Sequence, residues 1–146
     1  MVIGKKKTGH ANLLTLTERK TRMGFIAKVD KKISMQVNSV IFKLVKKYNL
    51  KIKTITSDNG FEFDNIGLLA KWLDIKVYKA DLYASFQRGS NEHFNGLIRR
   101  RYKKGFDFNQ LTQEDIDDLM DKINNMPRKI LNWQSAAEVF WPLNNQ

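Results

Sequence analysis

The sequence predicts an α/β domain, a mixed sheet with helices on its faces, and three observations predict it. Short stretches of period two or of β-like composition alternate with stretches whose apolar residues recur at spacings of three and four. The first two strand-like stretches are joined by a short charged connection, as in a hairpin, and the later ones are separated by helices, as crossovers require. The chain has 146 residues, 42% of them hydrophobic, enough for one core and too apolar for a disordered tail.

Each element has its own signal. Leu13-Leu14-Thr15-Leu16-Thr17 reads as the first strand and Gly24-Phe25-Ile26-Ala27-Lys28-Val29 as the second, with Thr21-Arg22-Met23 in the hairpin between them. Val37, Val40, Ile41, Leu44, Val45 and Tyr48 then mark an amphipathic helix starting at Ser34. Lys51 to Thr56 alternates with period two and stops at the turn Asp58-Asn59-Gly60. Ile66, Leu69, Ala70 and Leu73 predict a short helix, and residues 75–78 a short strand. A loop from Asp81 to Ser90 leads into a helix over 91–104, ended by Gly105. Thr112 and Asp115 form a weak capping box for a helix that stops before Pro127, and a last turn falls near 136–140.

Composition narrows the function classes. The net charge is +11, with 26 Lys and Arg against 15 Asp and Glu. Residues 1–53 carry +12, residues 54–105 carry +3 and residues 106–146 carry −4. The first third is therefore the expected footprint for a polyanion, most simply nucleic acid. The acids between Glu114 and Asp121 read as one solvated helix face. There is no cysteine, which excludes a disulfide scaffold, a zinc ribbon and a thiol enzyme. No apolar run reaches the ~20 residues of a membrane span, so no membrane partner is expected. The start of the chain has no apolar signal core, and the expected address is a reducing cytoplasm.

Two carboxylates stand out by position. Asp58 follows a strand and opens a Gly-containing turn, and open α/β sheets place ligands at the carboxyl ends of strands. Turn chemistry alone also explains an Asp there. Glu92 lies in the first turn of its helix, where dipole stabilisation also explains an acid. On that helix Phe94, Leu97, Ile98 and Tyr102 mark the core face. Glu92, Asn95, Gly96, Arg99 and Lys103 share another, a stripe suited to metal and phosphate contact. Gly96 weakens the helix by roughly 1 kcal/mol against Ala, which suggests close approach by a backbone or a ligand. The preceding loop, with Tyr83, Phe86 and Arg88, can stack on bases or serve as an ordinary ordered loop. Asp58 and Glu92 together suit Mg²⁺ or Mn²⁺. Two carboxylates are few for two ions, so a third is expected.

The stretch Thr54-Ile55-Thr56-Ser57-Asp58-Asn59-Gly60-x-Glu62-Phe63 resembles the second-aspartate motif of DDE transposases. Residues 83–100, Tyr-Ala-Ser-Phe-Gln-Arg-Gly-Ser-Asn-Glu-His-x-Asn-Gly-Leu-Ile-Arg-Arg, resemble the glutamate motif of the IS-thirty family of bacterial insertion-sequence transposases. The 33 residues between Asp58 and Glu92 match that family's spacing. Asn124-Asn125-x-Pro127-Arg128-Lys129 and Ala137-Glu138-Val139-Phe140 are similar to its C-terminal signature.

The resemblance implies a ribonuclease-H-like, retroviral-integrase-like fold: a mixed five-stranded sheet within one catalytic core domain over 1–146, with 106–146 as its helical end. It implies metal-dependent DNA cleavage and strand transfer using two Mg²⁺ or Mn²⁺ ions. Asp58 and Glu92 would be the second and third catalytic carboxylates and metal ligands. Arg88, Asn91 and Asn95 fall at motif positions near the site, with DNA or supporting roles, and Arg99, Arg100 and Lys103 would meet phosphates. The match also predicts that the chain begins one residue after the family's first catalytic aspartate. A remnant of the first strand would remain at Met1–Ile3, without the helix-turn-helix region. Two function classes follow. One is a DDE transposase catalytic core acting on DNA. The other is a truncated, catalytically dead remnant that binds DNA or assembles with a full-length transposase.

Overall fold

The first turn is built by one carboxylate. Glu18 accepts hydrogen bonds from the backbone N–H of Lys20 at 3.0 Å and of Thr21 at 2.7 Å, and from the Thr21 hydroxyl at 2.5 Å. Its own N–H donates to the Met23 carbonyl at 2.8 Å, and Arg22 turns the chain with a φ of 68°. This turn joins β1 (Asn12–Thr17) to β2 (Gly24–Val29). Six residues are far too few for a parallel crossover, so the pair is a hairpin. The structure is a computed structural model that describes all residues except 2–3, 5–10, 31–32, 59 and 81–88. Val2, Ile3 and Lys5, and so most of the expected first-strand remnant, lie outside the described residues, as do Asn59, Arg88 and most of the loop before the glutamate helix.

Burial works to raise the Glu18 pKa, but the Thr21 hydroxyl, the two N–H donors and the Lys20 charge outweigh it and hold the carboxyl below its ordinary 4.5. A depressed carboxyl contributes stability above its unfolded pKa and loses it as pH falls through the folded value. Urea midpoints should therefore fall below pH 4.5 in the wild type and change less in Glu18→Gln. Equal acid sensitivity of the two proteins would exclude Glu18 as a source.

Contacts divide the chain into two compact units, Met1–Lys28 with Ser90–Gln146, and Val29–Gly89. In the first, Leu13 and Leu14 are adjacent yet both buried, so β1 is covered on both faces. Phe94, Ile98, Phe108 and Ile116 join them at 1% exposure or less. Each contributes about 1.5–3 kcal/mol by burial. The glutamate helix, α3, runs Gly89–Arg101 rather than 91–104. It ends early because the chain folds back over its last turn: Tyr102, Phe106 and Phe108 stack with centroids 4.7–6.2 Å apart. Gly105 makes that return with a φ of 89°.

The helix at Gln113–Asn124, here α4, has the full reciprocal box of Thr112 and Asp115. Its Ile116, Leu119, Met120 and Ile123 are buried while Glu114, Asp115, Asp118 and Asp121 are exposed, as the solvated-face reading expects. At its end Asn124 is buried and grips β2: its Oδ1 accepts from Gly24 N–H at 3.0 Å and its Nδ2 donates to the Gly24 carbonyl at 2.8 Å. The expected last turn is a full helix, α5 (Ala136–Asn144). A second capping box, Ser135 with Glu138, starts it, and Pro142 is accommodated inside it.

In the second unit, α1 (Ser34–Lys47) buries Val37, Ile41, Leu44 and Val45, whereas Val40 and Tyr48 are only half-buried. Asn38 is buried too, its Nδ2 donating to the Asn65 carbonyl at 2.7 Å. The strand expected over 51–56 is β3, Thr54–Ser57, and the one expected over 75–78 is β4, Lys76–Lys79. They pair in parallel with Thr54 opposite Lys76 and Ser57 opposite Lys79, across α2 (Ile66–Leu73). Before Thr54 only the Lys53 carbonyl takes part, accepting the Lys76 N–H at 3.3 Å, because Ile75 still donates to Ala70 at the helix end and Asp74 is left-handed, with φ 53°. Among the described residues the expected five-stranded sheet is thus seen as two two-stranded ladders, β1–β2 and β3–β4. No helix among the described residues is long and apolar enough to cross a membrane.

Candidate functional site

Asp58 immediately follows parallel strand β3, at its carboxyl end. Its Oδ1 accepts the Gly60 N–H at 2.8 Å, so the side chain closes the turn that the sequence also suggested. Next comes a 3-10 turn, Phe61–Phe63, in which Glu62 is only 4% exposed. A Cβ on Gly60 would lie inside 3.0 Å of the Glu62 carboxylate and 3.0 Å from Asp58 Oδ1. Two carboxylates therefore flank one glycine, and any side chain there would displace one. Glu62 stood inside the motif but carried no signal of burial. Its partner residues in this turn, not its spacing, place it beside Asp58.

Glu92 is exposed in the first turn of α3. Asp58 and Glu92 fall in different units, and each keeps its own surroundings. In kind, both supply the hard oxygens that Mg²⁺ or Mn²⁺ takes. Among the described residues no group of three or more His, Cys, Asp or Glu side chains is placed to hold a metal ion.

The rest of the α3 stripe divides by partner. Asn91 and Asn95 meet β1: the Thr17 hydroxyl donates to Asn91 Oδ1 at 2.9 Å, and the Thr15 hydroxyl lies 2.8 Å from Asn95 Oδ1 and 3.1 Å from Asn91 Oδ1. Thr15 has a single hydroxyl proton, so it donates to one amide oxygen at a time. These contacts pin α3 to the hairpin. Arg99 lies over the Phe108 ring, 5.9 Å from its centroid, and burial lowers its pKa. Arg100 and Lys103 are exposed. A Cβ on Gly96 would meet nothing within 4 Å, so among the described residues packing does not demand glycine there.

A second basic group lies in the same unit. Arg22 Nη1 donates to the Ser90 hydroxyl at the start of α3. Arg128 is half-buried, and its Nε and Nη2 are fully buried with no hydrogen-bond partner among the described residues. Burial, then the Arg22 charge, lowers the Arg128 pKa. His93 is held below its usual value by burial and then by the charges of Arg128, Arg100 and Arg22. The sequence named Arg128 only as part of a terminal signature; its burial and its cationic neighbours are tertiary facts.

Comparison with known proteins bears on this arrangement. No protein-family model matches the chain. It is 40% identical to a probable transposase for the insertion-like sequence element IS1161 of Streptococcus salivarius, over 95% of this chain and 39% of that protein. It is 38% identical to the transposase for IS4351 of Bacteroides fragilis, over 99% of this chain and 44% of that protein. It is 32% identical to the transposase InsI for IS30A of Escherichia coli K12, over 90% and 35%. The chain thus spans less than half the length of these relatives. Its fold matches the catalytic core domain of BIV integrase with a TM-score of 0.70 at 16% identity, covering 98% of this chain and 91% of that one. A chain from the structure of the simian T-cell lymphotropic virus intasome in complex with PP2A regulatory subunit B56 gamma matches with a TM-score of 0.68 at 12% identity, covering 95% of this chain and 56% of that one. In sequence the chain is thus similar to insertion-sequence transposases, those of the IS30 elements among them, and its fold is the ribonuclease-H-like fold of an integrase core.

Proposed function

We propose that residues 1–146 form the catalytic core of a DDE-type transposase, which cuts DNA at element ends and joins the 3′ ends to a target. The supporting observation is the placement of Asp58 at the carboxyl end of parallel strand β3 in a chain with the integrase-core fold. That is where open α/β sheets present ligand-binding groups.

In this reading Asp58 and Glu92 hold a divalent cation, Mg²⁺ or Mn²⁺, with two ions expected. The cation supplies Lewis acidity at the phosphodiester when bound. The chain's own residues do the rest. Asp58 is held in orientation by the Gly60 N–H, so its carboxylate enters the reaction already placed. Asn91 and Asn95 fix the helix that carries Glu92 against β1. Arg88, Arg100 and Lys103, with the basic first third of the chain, neutralise backbone phosphates. Arg99 contributes charge from its place over Phe108. Copies of the chain, or of a longer transposase, assemble on the DNA.

The test is a strand-joining assay on a labelled duplex with the full chain. Joining that requires Mg²⁺ or Mn²⁺ and disappears in Asp58→Asn is the expected result. Salt-sensitive binding of DNA by the wild type with no cleavage or joining would leave the binding function alone.

A further inference from the structure

Arg128 sits in a loop that the backbone holds unusually hard. Its N–H donates to the Gln134 carbonyl at 3.1 Å, and its carbonyl accepts from Leu131 at 3.0 Å and Trp133 at 2.8 Å. The loop closes only because Asn132 and Trp133 both take left-handed conformations, with φ 54° and 66°. Two consecutive non-glycine residues in that region store strain, and such strain persists where surrounding structure over-determines it. The loop therefore gives Arg128 a fixed backbone anchor.

The guanidinium at the end of that anchor is incompletely satisfied. Nε and Nη2 are buried and, among the described residues, lack a hydrogen-bond partner, while the residue as a whole is half-exposed. Among the described residues the charge that acts on it is that of another arginine, Arg22, whose Nη1 donates to the Ser90 hydroxyl. Like charges brought together around buried, unused N–H groups are a poor arrangement for the chain alone. An oxyanion bridging the two arginines would satisfy both defects. Guanidinium is the side chain best shaped to fork onto phosphate oxygens. The left-handed φ of 68° at Arg22 gives this side of the group a constrained backbone as well.

We propose that Arg128 and Arg22 together form a binding site for a single phosphate of a DNA backbone, beside the start of the helix that carries Glu92. The proposal rests on the DNA-binding part of the reading above, not on its chemistry. One shared phosphate predicts a particular arithmetic. The salt dependence of duplex binding should lose about 0.9 in slope when Arg128→Gln removes the contact. Arg22→Gln should lose a similar amount, and the double substitution no more than either alone, because the phosphate is held only where both cations close on it and is released in all three cases.

The experiment is fluorescence anisotropy of a labelled duplex from about 50 to about 200 mM salt, on the wild type, both single variants and the double variant. Circular dichroism confirms that each is folded. Arg128→Lys guards against a folding defect: it should keep the slope, because it keeps the charge, while binding several-fold more weakly for want of the fork. Slope losses that add to about two in the double variant would mean two separate phosphates and overturn the site. An unchanged slope in Arg128→Gln would overturn it as well. Should the wild type bind no duplex, the DNA ligand is overturned. Thermal shift with inorganic phosphate then decides whether an anion site exists, since only a protein with Arg128 intact should be stabilised. None of these outcomes depends on Asp58, so a failure here is separable from a failure of strand joining.

Discussion

Gly24→Ala should be among the most damaging small substitutions in the chain. A Cβ at that position would lie well inside 3.0 Å of three atoms of the Phe94 ring. The ring is 1% exposed and has no free space to enter. The backbone cannot retreat either, because both its N–H and its carbonyl are bound by Asn124. Overpacking ordinarily costs about 1–3 kcal/mol. With ring and backbone both held, the upper end of that range or beyond is expected, a large part of the roughly 5–15 kcal/mol that keeps a domain folded. Urea denaturation of wild type and variant gives the cost directly. A double-mutant cycle with Phe94→Ala identifies its origin, since truncating the ring makes room and the penalty should shrink. If the penalty persists in the Phe94→Ala background, the collision is not its cause.

Asp58→Asn should abolish strand joining while leaving the fold and duplex binding as they are. The amide oxygen can still accept the Gly60 N–H, so the turn survives. The negative charge does not. A metal-assisted site supplies several kcal/mol of transition-state stabilisation, so a loss of about a thousandfold in rate is expected. Glu92→Gln should behave alike, for it too keeps its shape and loses its charge on an exposed helix turn. Rates on a labelled duplex, set beside anisotropy on the same duplex, separate chemistry from binding. Full joining by Asp58→Asn would remove this residue from the reaction.

What sequence could say about this molecule depended on the range of the interaction involved. Strands β1 and β2, helix α1 and the capped start of α4 were legible because period, turn chemistry and caps act within a few residues. The same local logic found Asp58 at a strand end and Glu92 in a first helical turn. It erred where a partner elsewhere decides. Lys51 to Lys53 alternate like a strand, yet the chain beside them is still finishing a helix. The turn expected near 136–140 is a helix that runs on to Asn144 with Pro142 inside it. The stripe on α3 was assembled by spacing, but spacing does not say what it faces, and its one amide, Asn95, turns out to face Thr15 of β1. Buried Glu62 and half-buried Arg128 could not be singled out at all, because their burial is set by the fold rather than by any neighbour in sequence.

The clasp between Gly24 and Asn124 joins residues 100 positions apart. It also belongs to a unit assembled from both ends of the chain, whereas Val29–Gly89 is continuous. During synthesis the continuous unit is complete long before the clasp can close. Long-range closure is slow for reasons of chain entropy. The order of events is therefore written into the connectivity: the central segment can organise while still tethered, and the ends must wait for one another. Pulse-labelled hydrogen exchange during refolding should protect amides of β3 and β4 before that of Gly24, and the reverse order would contradict this sequence of assembly. A ribosome paused before residue 124 holds a chain whose central unit is fully synthesised and whose first unit still lacks one side of its clasp.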